Sequence, residues 1–164
     1  MAGAVPAQAA RNSNPAQVMM VATMPASFSL QAQPAALMGA SGSVQVTGAG
    51  RNYLVIHGRT LGQGANAVVS IPIQLATNTQ SFVVQARMEG GTGAEMIRLH
   101  GTRIMGRARP MRGETNLAMG VAGSHEYFAL NHPLHGSLEI YLGRLPAGQE
   151  RTFQILLSVR DLGY

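Results

Sequence analysis

The sequence predicts an all-β protein, a β-sandwich or jelly-roll-like domain behind an extended N-terminal arm. Apolar and polar residues alternate with period two in short segments. Gly, Pro, Asn and Thr bound those segments. No long amphipathic helix pattern interrupts them, and seven or eight short strands favour two packed sheets over a barrel.

The arm is expected over residues 1–42 and the sandwich over 43–164. Residues 1–50 carry one charge, Arg11, and Pro6, Pro15, Pro25 and Pro34 are each followed by Ala. Prolines at that interval prevent long helices and favour extended backbone. Met19, Met20, Val21 and Met24, then Phe28 and Leu30, stand out from this polar background, so the arm is expected to bind partners through these apolar side chains.

From Ser43 onward the strand signals follow one another. The first runs over 53–58. In the next, Val69, Ile71, Ile73 and Leu75 alternate with Ser70, Pro72 and Gln74. Pro72 cannot donate to a ladder, which places that strand at a sheet edge or at a bulge. Phe82, Val84, Ala86 and Met88 define a third segment, and 95–100 and 117–121 are further candidates. The clearest hairpin joins 137–142 to 152–159 through the turn residues Pro146, Ala147 and Gly148.

Composition narrows the function classes. Charged residues make up 12% against 46% apolar, about half the usual charged share, and such a surface favours association with partners. The chain has no Cys, which excludes disulfides and Cys-ligated metal. It also has no Lys, so all twelve basic residues are Arg, as a GC-rich coding genome would produce. No run of eighteen apolar residues is present to cross a bilayer as a helix, and no membrane partner is expected.

The residues that could carry chemistry are few. His125, Glu126, His132, His135 and Glu139 form the densest cluster, and the run His132, His135, Glu139 resembles the metal-ligand run of cupins, where two His and a Glu sit on adjoining strands. It departs from that pattern because two residues, one of them Pro133, separate the histidines, which places the rings on opposite faces of a strand. Glu89 and Glu95 flank a Gly-rich turn and are read as a solvated hairpin end rather than a hydrolytic pair. The only Asp is Asp161, and no Gly-x-Ser-x-Gly elbow is present. The Gly-rich runs 62–64 and 90–93 lack the Lys and helix of a phosphate loop and are read as turns. No catalytic, cofactor-binding or metal residue is therefore assigned, no cofactor is expected, and the chain is not expected to be an enzyme.

The basic signal is sharper. Arg98, Arg103, Arg107, Arg109 and Arg112 fall in fifteen residues without an acid, while the other seven Arg balance the seven Asp plus Glu. The formal charge of +5 thus resides in this segment. It is read first as a docking patch for protein, second as a solvated loop, and third as a nucleic-acid contact, because no aromatic is interleaved for base stacking.

An uncharged arm ahead of a weakly charged sandwich is worth ordering only along a neighbour that covers its apolar points. Arms joining β-sandwich subunits recur in viral shells. By that analogy the expected function is structural: a bacteriophage-type capsid decoration or cement protein, or a minor virion subunit, whose partners are other copies of itself and a second capsid protein. The expected location is the virion, assembled in the host cytoplasm. The alternative is a surface adhesion or carbohydrate-binding module at the cell surface, which requires a groove among Tyr53, Tyr127, Phe128, Tyr141 and Tyr164. A cupin-like metal-dependent enzyme ranks third.

Overall fold

The computed structural model describes residues 27–79, 81–101, 104–105, 107–120 and 134–162. The regular elements are all strands: β1 (Phe28–Ala32), β2 (Ala36–Met38), β3 (Ala40–Ala49), β4 (Tyr53–Gly62), β5 (Ala65–Thr77), β6 (Phe82–Glu89), β7 (Met96–Gly101), β8 (Ile104–Met105), β9 (Arg109–Pro110), β10 (Glu114–Gly120), β11 (Leu134–Leu145) and β12 (Glu150–Asp161). They form two packed antiparallel sheets. One runs β1-β5-β11-β7-β8, with β2 also on β5 and β9 also on β7; the other runs β10-β6-β12-β4-β3.

The predicted alternation decides which faces meet. Val69, Ile71, Ile73 and Leu75 of β5 and Leu138, Ile140 and Leu142 of β11 are buried, as are Leu54 and Ile56 of β4 and Phe153, Ile155, Leu157 and Val159 of β12. Each large aliphatic side chain so buried contributes roughly 1.5–3 kcal/mol. Polar partners of the same strands, such as Gln74, Glu139 and Gln154, occupy the outer faces.

Five successive strand pairs, each with one strand in either sheet, are joined at one end of the molecule. β2 passes to β3 at Gly39, β4 to β5 at 63–64, β6 to β7 at 90–95, β9 to β10 at 111–113, and β11 to β12 at 146–149. These five arches lie side by side and are stitched together. Gly62 N–H donates to Gln149 O at 2.8 Å, Gly64 N–H to Leu145 O at 2.8 Å and Met111 N–H to Glu95 O at 2.9 Å. The first arch needs glycine: Gly39 has φ +75°, and a Cβ there would stand 1.9 Å from Asn66 O. Numbered one to eight in chain order, β4, β5, β6, β7, β9, β10, β11 and β12 give sheets 1-8-3-6 and 2-7-4-5, the jelly-roll arrangement, with β1, β2 and β3 added along one flank.

Three expectations are corrected in detail. The strands begin at Phe28 rather than Ser43: Leu30 is 4% exposed, pairs with Leu75 and belongs to the core, because Phe28, Leu30 and Ala32 share a face just as later strand residues do. Of the expected arm, residues 1–26 lie outside the described residues. The C-terminal strand pair is an arch and not a hairpin, since β11 pairs with β5 and β7 while β12 pairs with β4 and β6. Finally, β5 is internal to its sheet despite Pro72. On one side its neighbour changes from β1, which ends opposite Ile73, to β2, which begins opposite Ser70. Pro72 falls in that gap, where its carbonyl accepts from Gln33 N–H at 2.8 Å and no strand requires the donor it lacks.

Candidate functional site: the flanks and outer face of the sandwich

Residues 27–50 contain no charged side chain and build one whole lateral flank, β1 and β2 on one sheet and β3 on the other. Between the sheets this flank is open as a slot of about 320 Å³ lined by Ala35, Val44, Val46, Ile56 and Ile71 among others. Val44 and Val46 stand in register with Gly58 and Ile56 and so point to the core side, yet Val46 is 40% exposed because no strand of the opposite sheet covers it. Met38, at the end of β2, is 62% exposed. Of the expected arm contacts, Leu30 is corrected to a core residue closed to a partner, and Phe28 is half-buried against that core. Met19, Met20, Val21 and Met24 lie outside the described residues.

The opposite flank is basic. Arg107, Arg109 and Arg112 are exposed around β9 and the arch that follows it, and no described residue forms an ion pair with them. Glu114, two residues beyond Arg112, stands opposite Arg87 in the β10–β6 ladder. Arg103 lies outside the described residues. Arg98, also expected to dock, is carried by β7 onto the outer face of the sheet, opposite Glu139 of β11, whose Oε1 accepts from Arg98 Nε at 2.8 Å and also from Nη2.

Glu139 was grouped by sequence with histidines, and the fold pairs it with the basic segment instead. Tyr141 Oη donates to the same Oε1 at 2.9 Å, and Ser70 and Ser137 hydroxyls meet at 2.8 Å beside it. Burial alone would push the Glu139 carboxyl up; the hydrogen bonds from Arg98 and Tyr141 and the Arg98 charge outweigh it and hold the carboxyl below its ordinary range. Burial and the bond to Glu139 raise Tyr141. The bond to Glu139 raises Arg98. His135 shares this outer face but lies four residues from Glu139, about 13 Å along a strand, too far for both to ligate one ion. His132 lies outside the described residues, among which no three His, Asp or Glu gather. Tyr53 and Tyr141 project from opposite outer faces and share no groove; Tyr127, Phe128 and Tyr164 are outside the described residues.

Glu95, expected in a solvated turn, is instead 1% exposed inside the β6–β7 arch, while the Glu89 side chain is 65% exposed. Its carboxylate accepts from Thr92 N–H at 2.9 Å, Thr92 Oγ1 at 3.0 Å, Gly93 N–H at 2.9 Å and Arg151 Nη1 at 3.1 Å. Burial pushes this carboxyl up, and the Thr92 and Gly93 donors more than reverse that, leaving it below the ordinary 4.5. The partner of Glu95 was hidden in the sequence because Arg151 lies 56 residues away.

Comparisons with protein-family models, curated proteins and solved structures find no match to this chain.

Proposed function

We propose that the chain is a structural subunit of a large assembly, with a bacteriophage-type virion the best fit, as a capsid decoration or cement protein or a minor structural subunit. The observation that carries this reading is the unlike chemistry of the two flanks. One is uncharged, continuous in sequence with residues 1–26 and open to a partner; the other presents Arg107, Arg109 and Arg112, none of them ion-paired with a described residue. A block with two different lateral faces suits a lattice in which each face meets a different neighbour. Jelly rolls also serve lectins and cupins, so the architecture supports the reading without selecting it.

The test is the size and composition of the native particle, together with R107S/R109S/R112S. The chain should occur in a large symmetric assembly, and the triple variant should fold normally but incorporate less well, with reduced salt sensitivity. A free monomer overturns the proposal. Tight, salt-dependent binding to nucleic acid would reassign the basic flank. The second reading, a glycan-binding module, is favoured by the Arg98, Glu139 and Tyr141 network and the paired serines on one outer face. It predicts glycan retention that Tyr141→Ala abolishes.

A further inference from the structure

We infer that β3 is a self-association edge, on which a second copy of this chain adds its own β3 antiparallel across a two-fold axis to make one continuous ten-stranded sheet. Exposed strand edges present unpaired N–H and C=O groups, and proteins ordinarily blunt them with charge, proline, shortness or interruption. Three of the four sheet edges here are blunted. On the first sheet, β1 and β2 are five and three residues long and are separated by a break containing Pro34. At the other edge of that sheet, β8 and β9 have two residues each, and β9 consists of Arg109 and Pro110. The seven-residue β10 begins at Glu114 and shifts register between Asn116 and Ala118.

β3 is the exception. It is ten residues long, contains neither charge nor proline, and among the described residues hydrogen-bonds only to β4. Its irregularities are the register shift between Val46 and Gly48 and the positive φ of Gly42, +128°. Every second residue therefore directs its backbone N–H and C=O away from the molecule.

The charge distribution identifies a second copy as the occupant. Two chains of formal charge +5 repel each other, and like charges placed directly opposite across a strand pair are destabilising. Pairing through β3 avoids both costs, because the edge itself is neutral and the basic flank lies at the far side of each sandwich. Nine strand spacings would separate the two β10 strands, about 43 Å, several times the screening length of about 8 Å at physiological salt. The same approach brings together two apolar slots. Val46, now 40% exposed, and its neighbour Val44 would then face their counterparts rather than water. Ser41, Ser43, Gln45 and Thr47 form a neutral polar outer row compatible with its own copy.

This deepens the assembly reading by naming the contact between copies, and rests on it only for the expectation that copies associate. The test is sedimentation of the purified full-length chain at micromolar concentration. The wild type should have twice the chain mass with little salt dependence. S43K/Q45K, which changes exposed side chains only, should raise the dissociation constant at least about tenfold, while keeping the wild-type melting curve. M19S/M20S/V21S should dimerise like the wild type. A monomeric wild type overturns the inference. So does an oligomer unaffected by S43K/Q45K, or one abolished by M19S/M20S/V21S, which transfers the contact to the arm. Failure to join the native particle by a chain that still dimerises counts against the assembly reading alone.

Discussion

Replacing Glu95 by Gln tests whether a buried carboxylate holds the β6–β7 arch. The substitution keeps the shape but removes the charge and turns one acceptor oxygen into an NH2 group. Both carboxylate oxygens accept from the backbone donors of the arch, so either amide orientation sets a donor against a donor. Hydrogen bonds to charged groups contribute about 1.5–3 kcal/mol against roughly 1 for neutral ones. Removing one partner of a buried ion pair costs about 3–5 kcal/mol. The Arg151 side chain retains 16% exposure and can rehydrate, which lowers the expected loss to about 2–4 kcal/mol. In urea, with a slope of about 2 kcal/mol/M, the unfolding midpoint should fall by about 1–2 M. Glu150→Gln is the matched control, because the Arg59 to Glu150 pair is 67% and 48% exposed and worth at most about 1 kcal/mol. Equal midpoints for the two variants would refute the reasoning and reduce Glu95 to a bystander.

Other perturbations probe separate parts of the argument. Leu30→Ala should cost about 2–5 kcal/mol by denaturant titration, since Leu30 is core; a neutral result would return it to the arm. Gly58→Ala should lower the midpoint by an amount equivalent to about 1–3 kcal/mol, because its Cβ would stand 2.2 Å from Cζ of the buried Phe153 ring. Both Glu95 and Glu139 are depressed in the folded state, so the stability they contribute is fully present above the ordinary 4.5 and is lost as pH falls through their lower folded values. Tyr141 is raised, so its contribution is present below the ordinary 10.0 and is lost as pH rises through its higher folded value. Melting temperature against pH should show both declines, and E95Q should shrink the acidic one.

The fold was legible where the physics is local. Alternation at Val69 to Leu75 and at Phe153 to Val159 needs only neighbouring residues to reveal a buried face, and those faces are buried. What the sequence concealed depends on distant pairing. Pro72 has the same chemistry in any strand, and only the change of neighbour from β1 to β2 makes it tolerable inside a sheet. The near absence of charge from residues 1–50, which hold only Arg11, suggested an arm, but charge is a poor discriminator here, because the interior side of a strand has none either. Arg98 illustrates the converse, because a basic run counted along the chain takes no account of Glu139, 41 residues later, standing directly opposite.

The place of β12 has a consequence for how the molecule is made. It follows every other strand in this chain, yet it occupies the middle of its sheet, between β4 and β6. Its register joins Glu150 to Leu61 and Asp161 to Phe82, pairings that span some 80–90 residues of chain. Until β12 has left the ribosome, β4 and β6 have no common neighbour and the core lacks Phe153, Ile155, Leu157 and Val159. Such a chain cannot acquire its structure progressively from the N-terminus. It folds after synthesis of β12, slowly and as a unit, and any copy arrested before Glu150 is left with two open interior edges in addition to β3.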